Sequence, residues 1–167
     1  MTATNIYDFV GDICTELDIN YQHGSYKAIQ KYLDISLQNK EPRSKRFPIL
    51  CLVTEDMTEE VDIDSSFNTS YTLHIVIACY TKQNYTEAKR LEESFKATLW
   101  PIYNKVIDKL RRYSRNEFKE LPHKKKDCFF FATNDKKEVN KLDYIVDAVE
   151  LTGLNILLNF REFECKN

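Results

Sequence analysis

Glycine and proline are scarce in this sequence. Its 167 residues include three glycines and four prolines, roughly a third of the usual combined share. Gly11, Gly24 and Gly153 stand far apart. No G-x-x-x-x-G-K-[ST] phosphate loop and no G-x-G-x-x-G turn can be written, because both need clustered glycines to bring main-chain amides onto a phosphate. A G-x-S-x-G nucleophile turn is excluded on the same ground. Collagen-like and Gly/Ser-linker classes are excluded with it.

Long apolar runs are missing as well. None approaches the roughly 18–20 residues of a membrane helix, and the longest, at 47–53 and 75–80, are strand-sized. The start of the chain lacks a basic segment followed by an apolar one, so no signal peptide is expected. No cysteine pair has C-x-x-C spacing, and Cys14, Cys51, Cys79, Cys128 and Cys165 are odd in number. Free thiols in a reducing cytosol are expected, with neither a disulfide framework nor a zinc knuckle. An excess of one charge is absent too: 24 Lys and Arg face 26 Asp and Glu. No global basic field marks a nucleic-acid binder.

What is present is a core. Hydrophobic residues make up 43% of the chain, with ten Phe and ten Tyr. Length and composition suit one domain spanning 1–167. Ile6, Phe9, Val10, Ile13 and Leu17 fall on one helical face, with Asn5 as cap and Asp8 in the first turn. Tyr26, Ile29, Leu33 and Leu37 mark a second helix, with a strand at 20–23 as the alternative start of that block. The apolar run 47–53 reads as a strand covered on both faces. Tyr71, Leu73, Ile75, Ile77 and Cys79 lie on one face and Thr72, His74, Val76, Ala78 and Tyr80 on the other, so 71–80 reads as a strand whose first face is wholly apolar. Ala88, Leu91, Phe95, Leu99, Ile102, Val106 and Leu110 hold helical spacing after a cap at Thr86, and Pro101 should kink this helix or start a second. Residues 128–131, 144–151 and 154–163 read as short strands. The expected fold is α+β, an antiparallel or mixed β-sheet with helices packed on one face. Phe47, Ile75, Leu91 and Phe95 are expected to share one core.

No catalytic constellation is legible, and no cofactor or metal is expected. His74 and Cys79 share a strand but have opposite parity, while His23 and His123 have no ligand-type neighbours. All three read as half-exposed strand or loop histidines. Cys51, Cys79 and Cys128 sit in apolar strand runs, where burial raises a thiol pKa and hides the sulfur. Two charge runs stand out. Residues 55–64 carry Glu55, Asp56, Glu59, Glu60, Asp62 and Asp64 without a base, and read as a solvated loop or hairpin margin. An EF-hand order is missing there. Residues 111–126 carry Arg111, Arg112, Arg115, Lys119, Lys124, Lys125 and Lys126 against two glutamates. That segment can be a solvated face, a contact to the acidic run of a neighbouring subunit, or a phosphate-facing patch.

Several local signatures occur in order. They are Gln22-His23-Gly24, Lys45-Arg46-Phe47-Pro48-Ile49-Leu50, the strand at 71–80, Glu87-Ala88-Lys89-Arg90, Leu99-Trp100-Pro101-Ile102-Tyr103, and Asp143-Tyr144-Ile145-Val146-Asp147-Ala148-Val149-Glu150. This order resembles a group of small virion proteins of tailed phages infecting Bacteroides-type hosts. The group is similar in layout to tail-terminator and head–tail completion proteins. The resemblance implies a sheet flanked by helices, assembled as a ring at the neck or tail, commonly six-fold. It implies neighbouring neck or tail proteins as partners, duplex DNA passing without sequence reading, and no membrane. Location in the virion after synthesis in the host cytoplasm follows from it. It carries over no catalytic residue. The rival readings are an intracellular protein-binding adaptor and a nucleic-acid-associated protein using the basic segment.

Overall fold

The computed structural model of the protein describes residues 4–38, 45–61, 68–82, 84–115, 120–129 and 146–160. The chain is α+β, built on a five-stranded mixed sheet. Helix α1 (Ile6–Glu16) begins as expected: the Asn5 side chain accepts a hydrogen bond from the Asp8 N–H at 2.9 Å. It ends at Asp18, whose φ of 54° is tolerated by a short polar side chain. Strand β1 (Asn20–Gly24) follows at once, so the strand alternative for this block holds, and helix α2 (Tyr26–Gln38) comes directly after it. Gly24 makes that abrupt change of direction, at φ 136°. The side chain of Leu37, expected on the buried face of α2, lies outside the described residues.

Strand β2 (Ile49–Val61) pairs parallel to β1 and antiparallel to β3 (Thr69–Tyr80). Strand β5 (Val146–Leu158) pairs antiparallel to β3, and β4 (Lys124–Cys128) pairs antiparallel to β5. The order across the sheet is β1-β2-β3-β5-β4. The closing stretch, expected as two strands, is one strand with a bulge. Leu73 faces Leu154 while Ile75 faces Leu151, and Gly153 takes a φ of 64° in the extra step. The bulge shifts parity, so Val149, Leu151, Leu154 and Ile156 all reach the same core.

That first core also takes Tyr71, Leu73, Ile75, Ile77 and Cys79, the expected apolar face of β3, together with Phe9 and Ile13 of α1. Across it lies one long helix. Helix α3 (Glu87–Arg90), capped by Thr86, runs through a π-helical stretch (Leu91–Leu99) into α4 (Trp100–Tyr113). Pro101 falls in the first turn of α4, where its missing N–H is tolerated, and the widened turns before it keep the helix continuous. Phe95, Leu99, Val106 and Leu110 are buried as the spacing requires.

Some expectations need correction. Helices lie on both faces of the sheet, because parallel neighbours such as β1 and β2 need a crossover and α2 supplies it. Ile29 and Leu33 of α2 form a second core with Ile49, Cys51, Val76 and Ala78 on the opposite face. Phe47 belongs to this second core and not with Ile75 and Phe95, since it shares parity with Ile49 and Cys51. Of the run at 128–131, Cys128 ends strand β4 and Phe129 follows it. Phe130 and Phe131 lie outside the described residues, and the strand is formed by the lysines before them.

A buried ion pair ties β5 to the start of the long helix on the first-core face. Arg90 and Asp147, 1% and 0% exposed, meet at 2.9 Å. The guanidinium also donates to the carbonyls of Lys82 and Tyr85, so a charge taken out of water is matched by fixed acceptors. Cys14, Cys51 and Cys79 are buried, and burial pushes their thiols up to about 12. Cys128 is half-buried at the end of β4, whose other residues are charged, while Cys165 lies outside the described residues.

Candidate functional site

The two charge runs land on opposite sides of the sheet. Strand β1 spans the level of Ile49 to Val53 only, so residues 54–61 of β2 extend past it. On that side they pair with no strand among the described residues. Glu55, Asp56, Glu59 and Glu60 stand exposed on this extension, which is an arm of the β2–β3 hairpin, the second of the two readings, rather than a loop. Glu59 accepts from the Tyr71 hydroxyl at 3.1 Å. Burial, and then the Glu59 charge, push the Tyr71 phenol up. Asp62 and Asp64 lie outside the described residues. The N-terminal side of the sheet deepens the negative field, since residues 1–26 hold four acids (Asp8, Asp12, Glu16, Asp18) and no Lys or Arg. A shallow groove of about 370 Å³ opens there between α1 and β1, lined by Asp8, Asp12, Tyr7, Tyr21 and His23.

The other edge is basic. Lys124, Lys125 and Lys126 form β4 itself and are exposed. Lys125 pairs with Asp127 at 2.8 Å and stands over the rings of Trp100 and Tyr103. Arg111 and Arg112 are exposed in the last turn of α4, with Arg111 held by Asp108 at 3.0 Å. Arg115 is exposed while its N–H donates to the Leu157 carbonyl. Lys124 lies at the level of Thr152. Arg115 is therefore five residues farther along β5, roughly 16 Å of strand, with Arg111 and Arg112 just before it in the chain. The segment 111–126 is two basic sites rather than one patch. Lys119 lies outside the described residues.

A second constellation was not expected. His74 is 4% exposed, not half-exposed. Its Nδ1 lies 2.9 Å from Asp56 Oδ2 and its Nε2 lies 3.1 Å from Glu150 Oε1. The Tyr26 hydroxyl of α2 donates to the same Glu150 oxygen at 3.3 Å. Bulges on both neighbouring strands build this cluster: β2 loses register between Val53 and Thr58, and β5 does so opposite His74. The first bulge carries Asp56 back over the central strand. Burial alone lowers the His74 pKa, but hydrogen bonds and charge from Glu150 and Asp56 outweigh it and leave the imidazole above its ordinary value. Ionised carboxylates only accept, so the arrangement suits an imidazolium donating from both nitrogens. The signal in the sequence was Glu150, an acid inside an apolar strand.

His123 differs in kind: its Nδ1 sits 2.6 Å from the Leu121 carbonyl and its Nε2 3.0 Å from the Tyr103 hydroxyl. Among the described residues, no group of three or more His, Cys, Asp or Glu side chains is placed to hold a metal ion. Nor is any helix among them long and apolar enough to cross a membrane. No protein-family model matches the chain, and no curated protein matches it either.

Proposed function

We propose that this protein is a structural subunit of a tailed-phage neck or tail, tail-terminator-like, that works by assembling into a ring and not by catalysis. The observation that carries this reading is the placement of opposite charge on the two opposite free sides of one sheet. A ring needs a heterologous contact, in which one patch meets a different patch on the next copy. Acids on the β2 side and lysines on β4 meet that need. They also disfavour the symmetric alternatives, where like charges would face each other.

The chemistry of the cluster around His74 supports the non-catalytic part. Both ring nitrogens are engaged by carboxylates, so neither offers a lone pair to a substrate proton. The basic arginines at the end of α4 suit a surface facing passing DNA through phosphates alone. Negative-stain imaging of the purified chain tests the reading. Closed rings of uniform size are expected, and a field of single subunits under all conditions, including mixtures with neck and tail proteins, would contradict it. Salt-steep duplex binding by the lone subunit, lost when Lys124, Lys125 and Lys126 become Ala, would favour the nucleic-acid rival instead.

A further inference from the structure

The free sides of the sheet carry more than opposite charge. Strand β4 has β5 on one side and no described strand on the other, and residues 54–61 of β2 present a second open row of main-chain groups. Such rows are templates for a further strand. We propose that copies of this chain join by strand addition, β4 of one copy pairing with the 54–61 extension of β2 in the next. This rests on the assembly reading above and specifies its contact.

Direction agrees first. Each step from β2 to β3 to β5 to β4 reverses the chain, so β4 runs opposite to β2. A second copy set beside the first in the same sense therefore brings β4 antiparallel to the extension.

Side-chain faces agree as well. Glu60 shares a face with its partner Ser70, and hence with Thr72 and His74. Lys126 shares that face through its partner Glu150, which bonds His74, and Lys124 has the same parity. A carboxylate and two ammonium groups thus meet on one face of the extended sheet. The opposite face carries exposed apolar side chains. Among the described residues the large apolar side chains left exposed are Val61 and Phe129, at 61% and 42%. One ends the β2 extension and the other follows β4, so antiparallel pairing sets them at opposite ends of the seam, and Phe129 already packs on the first-core ring of Phe95 at 4.9 Å.

Lysines on an edge strand ordinarily repel a second strand. Here they repel another β4 and attract only the acidic edge, which makes the pairing selective. Pairing of the extension with itself would set Glu60 against acids in the same way.

Two variants test this, neither touching a buried group. Glu55→Lys with Glu60→Lys makes both edges basic, and Lys124→Glu with Lys126→Glu makes both acidic. Each alone should self-associate at least about tenfold more weakly than the wild type, while an equimolar mixture should recover association, because every edge then meets its opposite. Light scattering reads the masses, and thermal melts check that both variants fold. The neutral pairs Glu55→Gln with Glu60→Gln, and Lys124→Gln with Lys126→Gln, should weaken association less and gain nothing from mixing. If the wild type assembles but the reversed variants assemble equally well alone, or their mixture stays monomeric, strand addition fails and the assembly reading stands. If the wild type is itself monomeric at every concentration, both fail.

Discussion

Removing the guanidinium of Arg90 leaves the Asp147 carboxylate buried beside it without its cation. Arg90→Met should therefore cost about 3–5 kcal/mol in urea unfolding, and adding Asp147→Leu should return much of it. An Arg90→Met protein as stable as the wild type would mean the pair does not tie β5 to the long helix. His74 gives a pH dependence of definite sign. Its folded pKa lies above the unfolded value of about 6.5. The stabilisation is therefore complete below that value and fades as pH rises through the folded pKa. Melting temperature should fall between mildly acidic and alkaline pH, and His74→Gln should flatten that fall. Neither site was fully legible beforehand. Arg90 reads as an ordinary first-turn arginine in Glu-Ala-Lys-Arg, since nothing local tells that Asp147 lies above it. Asp56 reaches His74 only through a three-residue loss of register, and periodicity arguments assume register is kept.

Among elements, the helices and β3 were the most readable because their apolar faces repeat over many residues. Strand β1 was the least readable: five residues, only partly buried, with no apolar alternation. A strand at 20–23 is only an alternative on sequence grounds, and without it the β1–α2–β2 crossover and the second face of helices do not follow. The basic strand β4 is hard to read for a related reason, because an edge strand buries almost nothing and its lysines look like a loop. Leu99 is fully buried under the π-helical stretch, so Leu99→Ala should cost about 2–5 kcal/mol. Leu91, only half-buried, should cost less. Equal losses in thermal melts would place the helix differently. At the β5 bulge, Gly153 has open space around its α-carbon but a left-handed backbone. Gly153→Ala should destabilise by about 1–2 kcal/mol through conformation alone, and a neutral result would show that the bulge relaxes.

At the scale of the whole molecule, the early scarcity of glycine finds a structural counterpart. Two of the three glycines are spent on positive φ, at the β1–α2 corner and at the bulge. Helices α1 and α3 start on the capping side chains of Asn5 and Thr86. The charge runs were visible in the sequence, whereas their separation to opposite sides of a sheet was not, because strand order is a property of the fold. The central claim is that unlike sides of this sheet attract and build a closed assembly. Sedimentation velocity across concentration and ionic strength tests it most directly. The account predicts a single discrete multimer of the 19.8 kDa chain that grows with concentration and dissociates as salt screens the contact. A species that stays at the monomer mass at low salt and high concentration would contradict it.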